Sequence, residues 1–146
     1  MSGFFSSMNI SSSGLAAQRL RMNILSTNLA NAQTTRTPEG GAYRRQDVVF
    51  TAKPTGSVFE DFMARESNAR LRNVEVTQIH QDMKEPRKVY DPAHPDANAE
   101  GYVEMPNVQV MSEMVNMIAA TRAYEANITA FNGAKNMAQK ALEIGR

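Results

Sequence analysis

The chain has 146 residues, a length that suits one domain. Its 16 Lys and Arg stand against 15 Asp and Glu, a formal charge of +1. Arg19/Arg21 and Arg44/Arg45 are the densest basic pairs, so the clustered excess that neutralises nucleic-acid phosphates is missing. With no cysteine, disulfide frameworks and thiolate chemistry are excluded, and no apolar run approaches the roughly 18 residues of a membrane-spanning helix. The opening residues, Met1-Ser2-Gly3-Phe4-Phe5-Ser6-Ser7, lack the basic and continuously apolar segments of a cleaved secretory signal. Composition alone therefore predicts a cytoplasmic chain.

The first expected element is a helix over about 10–32. Met8, Leu15, Met22 and Leu29 recur every seven residues, with Gln18, Leu25 and Ala32 between them. This spacing sets Leu15, Met22, Leu25 and Leu29 on one face. Ser11-Ser12-Ser13 supplies N-cap candidates, and Pro38 with Gly40-Gly41 ends the pattern.

The middle, about 43–103, reads as short strands and loops. Residues 43–52 end in Val48-Val49-Phe50, and Val74, Val76 and Ile79 alternate with polar residues as in a half-buried strand. Lys88-Val89-Tyr90 and Tyr102-Val103 are further short strands. Between them, Asp91-Pro92-Ala93-His94-Pro95-Asp96-Ala97-Asn98 forbids regular structure.

A second, longer helix is expected from about 107 to 144, starting at Pro106-Asn107. Steps of four and three select Val110, Met114, Met117, Thr121, Tyr124, Ile128, Phe131, Lys135, Ala138 and Leu142. A 3.5-residue period held over more than four heptads is coiled-coil packing, and the helix would be roughly 55 Å long. Glu113 falls near its positive end; Lys135, Lys140 and Arg146 fall near its negative end. Gly133 weakens the interior by about 1 kcal/mol relative to Ala. A second stripe of Met111, Val115, Ile118, Met137, Ala141 and Ile144 widens the apolar surface. One N-terminal helix of about 22 residues cannot cover all of it. Other copies or homologous chains are the economical cover, and methionine suits non-identical neighbours.

The fold class expected is mainly α with a small β-rich insert, in segments 1–36, 37–106 and 107–146. The terminal helices form a coiled-coil-like pair that assembles into a helical tube.

No enzyme is supported. The chain's two histidines are His80, on a polar strand, and His94. His94 lies beside Asp91 and Asp96, but a metal site needs three or four ligands and outer-shell support, and a structural turn explains the segment. No Gly-x-Ser-x-Gly or phosphate-cradling glycine motif is present. Glu60/Asp61 and Glu100/Glu104 are ordinary surface carboxylates. Catalytic, cofactor and metal residues are therefore assigned to none, and neither nucleic acid nor a small-molecule substrate is expected.

Ser13-Gly14-Leu15-Ala16-Ala17-Gln18, continuing to Asn28-Leu29-Ala30-Asn31-Ala32-Gln33-Thr34, resembles the N-terminal signature of flagellar rod and hook proteins. Glu113-Met114-Val115-Asn116-Met117-Ile118, with Arg122-Ala123-Tyr124-Glu125-Ala126-Asn127, resembles that family's C-terminal helix. Between them, Val89-Tyr90-Asp91-Pro92-Ala93-His94-Pro95-Asp96-Ala97 and Gly101-Tyr102-Val103-Glu104-Met105-Pro106-Asn107-Val108 resemble the proximal-rod members. The motif residues are Asn28, Asn31, Thr34, Tyr90, Pro92, His94, Pro95, Gly101, Tyr102, Pro106, Asn107, Glu113, Arg122, Tyr124 and Asn127. Ser26-Thr27-Asn28 departs from the paired asparagine of many relatives.

The resemblance implies a structural subunit of the basal-body rod, an axial drive shaft for motility. It implies export through the flagellar type III channel without a cleaved signal, and assembly in the periplasm, against the cytoplasmic expectation above. Partners would be itself, other rod proteins, the basal-body base, surrounding rings and the export apparatus. The expected assembly interface is Leu15, Met22, Leu25, Leu29, Val110, Met114, Met117, Ile118, Tyr124, Ile128, Phe131 and Leu142. A soluble helical-bundle binding module, such as an export regulator or chaperone, is the alternative of another class.

Overall fold

The computed structural model describes residues 2–54 and 71–144, with the side chains of residues 2–4 and of Ile144 left aside. Glu60, Asp61 and Arg146 lie outside the described residues. Among the described residues, two long helices bracket four short strands: α1 (Ser2–Ala30), β1 (Gln46–Pro54), β2 (Arg72–Gln81), β3 (Arg87–Tyr90), β4 (Tyr102–Met105) and α2 (Val110–Ile144). The described chain divides into two units by its contacts. One takes α1 up to Leu20, residues 49–78 and α2 from Ala120; the other takes residues 21–48 and 79–119.

α1 has 29 residues and starts well before the serine cluster. Ser11-Ser12-Ser13 therefore lies inside the helix and caps nothing. Ser13 Oγ instead donates to the Ile10 carbonyl at 2.7 Å, the back-bonding open to a mid-helix hydroxyl. It also accepts from the Val74 backbone N–H at 3.1 Å. At the other end, Asn31 Nδ2 donates to the Thr27 carbonyl, and Thr34 Oγ1 donates to Asn31 Oδ1. Among the carbonyls that the last turn leaves open, that of Leu29 accepts from the Ala32 N–H at 3.3 Å. The chain then reverses at Gly40 and Gly41, whose φ angles of 91° and 79° favour glycine.

β1 and β2 form one two-stranded sheet. Lys53 pairs with Glu75 at 2.9 Å and the hydroxyls of Thr51 and Thr77 are hydrogen-bonded, so the strands run antiparallel. The half-buried positions on β2 are Asn73 and Val76. Val74 and Ile79 are exposed, contrary to the expected alternation. A two-stranded ribbon has no flanking strand to shelter a whole apolar row.

β3 and β4 form a second antiparallel pair, with Val89 opposite Val103 and Tyr90 opposite Tyr102. Val103 is fully buried, and the two tyrosine rings meet edge to face at 5.3 Å. The connection is a series of turns. Asp91 N–H donates to the Gly101 carbonyl, Gly101 N–H to the Asn98 carbonyl, and Asn98 Oδ1 accepts from the Glu100 and Tyr102 N–H groups. His94 serves this turn, its Nδ1 accepting from the Asp96 N–H at 3.1 Å. Gly101 has φ 81°, and an added Cβ would lie 2.9 Å from the Tyr90 ring.

α2 has 35 residues, which at 1.5 Å each is about 52 Å. It begins at Val110, three residues after the expected start, and buried Pro106 precedes it. Its first turn holds Glu113 and its last turn holds no base, Lys135 and Lys140 standing before that turn. Its sheltered positions include Glu113, Met117, Ala120, Tyr124, Asn127, Phe131, Ala134 and Ala138. The expected period holds and Met117, Tyr124, Phe131 and Ala138 keep their places. The alternate row lies one residue earlier than expected. Glu113, Ala120, Asn127 and Ala134 turn inward, while Met114, Thr121, Ile128 and Lys135 are exposed, as are Val110 and Leu142. Ranking by apolarity selects Met114 and Ile128, whereas close helix packing selects alanine and paired polar groups. On α1 the fully buried side chains are Ala17, Leu25 and Asn28; Leu15, Met22 and Leu29 are half-buried.

Candidate functional site

Two polar side chains are more deeply buried than almost any apolar one. Asn28 is 0% exposed and Glu113 1%. Burying an amide and a carboxylate costs several kcal/mol unless each atom is paired, and here the pairing is complete. Asn28 Nδ2 donates to the Gln46 carbonyl at 2.7 Å while its Oδ1 accepts from the Gln46 N–H at 2.9 Å. The side-chain amide thus stands where a neighbouring strand would and starts β1. Oδ1 also accepts from Tyr43 Oη at 2.9 Å, and Nδ2 donates to Glu113 Oε2 at 3.0 Å. Glu113 Oε1 takes Arg45 Nε at 2.7 Å, and Arg45 Nη1 reaches Asp47 at 3.2 Å. The end of α1, the linker into β1 and the start of α2 are thereby clamped within one unit.

The electrostatics follow from this geometry. Burial alone would lower the Arg45 pKa, but its hydrogen bond to Glu113 and the charges of Glu113 and Asp47 raise it overall. Burial, then the Glu113 charge, pushes the Tyr43 phenol up from its ordinary value. Glu113 also lies in the first turn of α2, where the helix dipole favours a carboxylate.

Most motif residues fall into two places. Asn28 and Glu113 lie in the clamp; Asn31 and Thr34 finish α1 beside it. Tyr90, Pro92, His94, Pro95, Gly101 and Tyr102 build the β3–β4 connection, where a Cβ on Gly101 would meet both Tyr90 and Pro92. Asn107 approaches Asp82 at 3.5 Å. In the other unit, Asn127 donates to the Ala123 carbonyl and packs against Gly14, Tyr124 is half-buried and Arg122 is exposed. Tyr43, Arg45 and Gln46 were missed by the sequence reading. The available signal was a carboxylate on the inner face of a helix, which demands a counter-charge.

Outside the clamp, α2 carries its apolar residues in the open. Val110, Met111, Met114, Val115 and Ile118 are 42%, 74%, 46%, 63% and 55% exposed. Their spacing keeps them on one side of the first turns. Further along, Met137 and Leu142 are 68% and 69% exposed. Among the described residues no three His, Asp or Glu side chains converge as metal ligands, and the grooves are open and polar. No described helix is long and apolar enough to cross a membrane.

Residues 8–36 match the family described as flagella basal body rod protein. Residues 99–144 match the flagellar basal body rod FlgEFG protein C-terminal family. The chain is 45% identical over 151 residues to the flagellar basal-body rod protein FlgC of Borreliella burgdorferi, covering 97% of each. To the FlgC protein of Bacillus subtilis it is 46% identical over 148 residues, covering 97% of this chain and 98% of that one. To that of Salmonella typhimurium it is 38% identical over 138 residues, covering 94% and 95%. End-to-end matches at this identity, on both motif clusters and both helices, make the chain a member of the FlgC family of flagellar basal-body rod proteins.

Proposed function

We propose that the chain is a structural, non-enzymatic subunit of the bacterial flagellar basal-body rod that polymerises through its terminal helices. The observation that supports polymerisation is the open face of α2. Five large apolar side chains stand exposed on its first turns, and Met111, Val115 and Ile118 among them lie on the side away from the clamp's Glu113. Covering several hundred Å² of such surface at about 25 cal/mol/Å² supplies several kcal/mol gross, before the cost of ordering. A head-to-tail contact whose rotation does not close extends as a helical filament.

In this reading, segments 1–36 and 107–146 form the inner layer of a tube and segment 37–106 faces outward. Val110, Met114, Ile118, Ile128 and Leu142 meet neighbouring subunits directly. Leu15, Met22, Leu25, Leu29, Met117, Tyr124 and Phe131 support that layer from within the chain. Partners are further copies, other rod proteins, the basal-body base and surrounding rings. Passage through the export apparatus without a cleaved signal, and assembly in the periplasm, rest on the family relationship alone.

The test is to place glutamate at both Val115 and Ile118. Circular dichroism of the free chain should be unchanged, because both side chains are solvated there. Incorporation into basal bodies should fall more than about tenfold, since each 1.4 kcal/mol is a factor of ten and two buried charges cost more. Undiminished incorporation would contradict the reading. A closed oligomer as the sole species in sedimentation would favour a soluble binding module.

A further inference from the structure

Heptad packing leaves a helix pair with an ambiguity that small residues do not resolve. Gly14 of α1 lies against Asn127 of α2, and an added Cβ would stand 3.1 Å from both amide heteroatoms. One heptad to either side of Asn127 are Ala120 and Ala134, both small and both buried. A slip of one heptad would set Gly14 against an alanine, with no steric objection. That row of residues selects no register.

The polar cluster can. Asn28 stands two heptads from Gly14 on α1, and Glu113 two heptads from Asn127 on α2. Asn28 holds Gln46 and Tyr43, and so carries Arg45 with it. A slip in either direction takes Glu113 from both of its donors and strands a buried carboxylate. We propose that Asn28, Arg45 and Glu113 fix the register of α1 on α2, and that they do so as specificity-determining side chains rather than as a net source of stability. Buried ion pairs are weak stabilisers compared with apolar replacements of similar volume, while one polar position in a heptad seam is enough to choose its register. For an assembling chain the choice matters, because a one-heptad slip displaces one helix by about 10 Å along the other.

The absence of cysteine makes the test clean. In the full chain, Gly14→Cys with Asn127→Cys reports the native register. Gly14→Cys with Ala120→Cys, and with Ala134→Cys, reports the two slips. A Cβ at Gly14 would lie 3.2 Å from Asn127 Cγ, close enough for a disulfide. With the cluster intact, the slipped pairs should oxidise to less than about a tenth of the native pair, a factor worth 1.4 kcal/mol. With Asn28→Leu, Arg45→Met and Glu113→Leu together, slipped and native pairs should oxidise to similar extents while circular dichroism retains the helix content. Slipped pairs that stay silent in that variant would overturn the proposal, placing the register determinant elsewhere. So would equal oxidation of all three pairs with the cluster intact, which would mean that no register is chosen. Loss of helix in the triple variant would also overturn it, by showing that the cluster supplies stability.

Discussion

Residues 21–48 and 79–119 are held around polar atoms: Asn28 and Glu113 have no exposed surface to speak of, and Arg45, Tyr43 and the Gln46 backbone close on them. In the other unit the fully buried side chains, among those described, are small. Gly14 sits against Asn127, and Ala17, Ala120 and Ala134 are its buried apolar residues among those described. The two therefore fail in opposite ways. A polar cluster is broken by removing atoms, because each survivor keeps its desolvation cost and loses its partner. Close packing of small residues is broken by adding atoms, because neighbours must move to admit them.

Four substitutions exploit that contrast. The largest effect is expected from Glu113→Ala, which leaves the Arg45 guanidinium and the Asn28 amide facing an empty site. It should lower stability by about 3 kcal/mol, read as a shifted urea midpoint, with hydrogen exchange accelerating first over 21–48. Next is Gly14→Leu, where new atoms meet Asn127 at contact distances already near 3.1 Å. It should cost about 2 kcal/mol, with the first exchange gains near Ala17 and Ala120. Gly133→Ala should act in the opposite sense. Nothing lies within 4 Å of a Cβ placed there, so replacing a helical glycine should stabilise the free chain by about 1 kcal/mol. A destabilising result would show that small-residue packing extends to Gly133.

The smallest effect is a pH dependence confined to the polar unit. The Tyr43 pKa is raised above its ordinary 10.0, so below that pH folded and unfolded chains both keep the proton and stability is flat. As pH rises past about 10, the unfolded chain releases its proton first and stability falls until the folded phenol also ionises. Tyr43→Phe should remove that part of the alkaline slope. The same slope in both chains would show that Tyr43 contributes none of it.

How much of this was legible in the sequence depends on how local each cause is. The β3–β4 connection was readable because Pro92, Pro95 and Gly101 impose their geometry on their own backbone. The period of α2 was readable from Met117, Tyr124 and Phe131, which are apolar and turned inward. The alternate row was misplaced because an apolar ranking prefers Met114 to Glu113 and Ile128 to Asn127. Only a paired carboxylate and a close-packed amide make the polar choices acceptable inside. Glu113 and Asn28 entered as family motif residues, without a partner for either. The Gln46 partner of Asn28 was beyond any pattern, because it contributes backbone atoms alone, eighteen residues away. Ser11-Ser12-Ser13 misled for a related reason: a cap signature counts only if the helix starts there, and α1 starts at Ser2.

Methionine reactivity can decide whether subunits assemble through α2. Met111 and Met114 are 74% and 46% exposed in the single chain, and peroxide converts accessible thioethers to sulfoxides that peptide mass spectrometry locates. Both should oxidise readily in the free chain and be protected by more than about tenfold in isolated rods, where a neighbouring subunit excludes solvent from that face. Equal oxidation rates in the free chain and in the rod would leave the α2 face solvated after assembly and contradict the account.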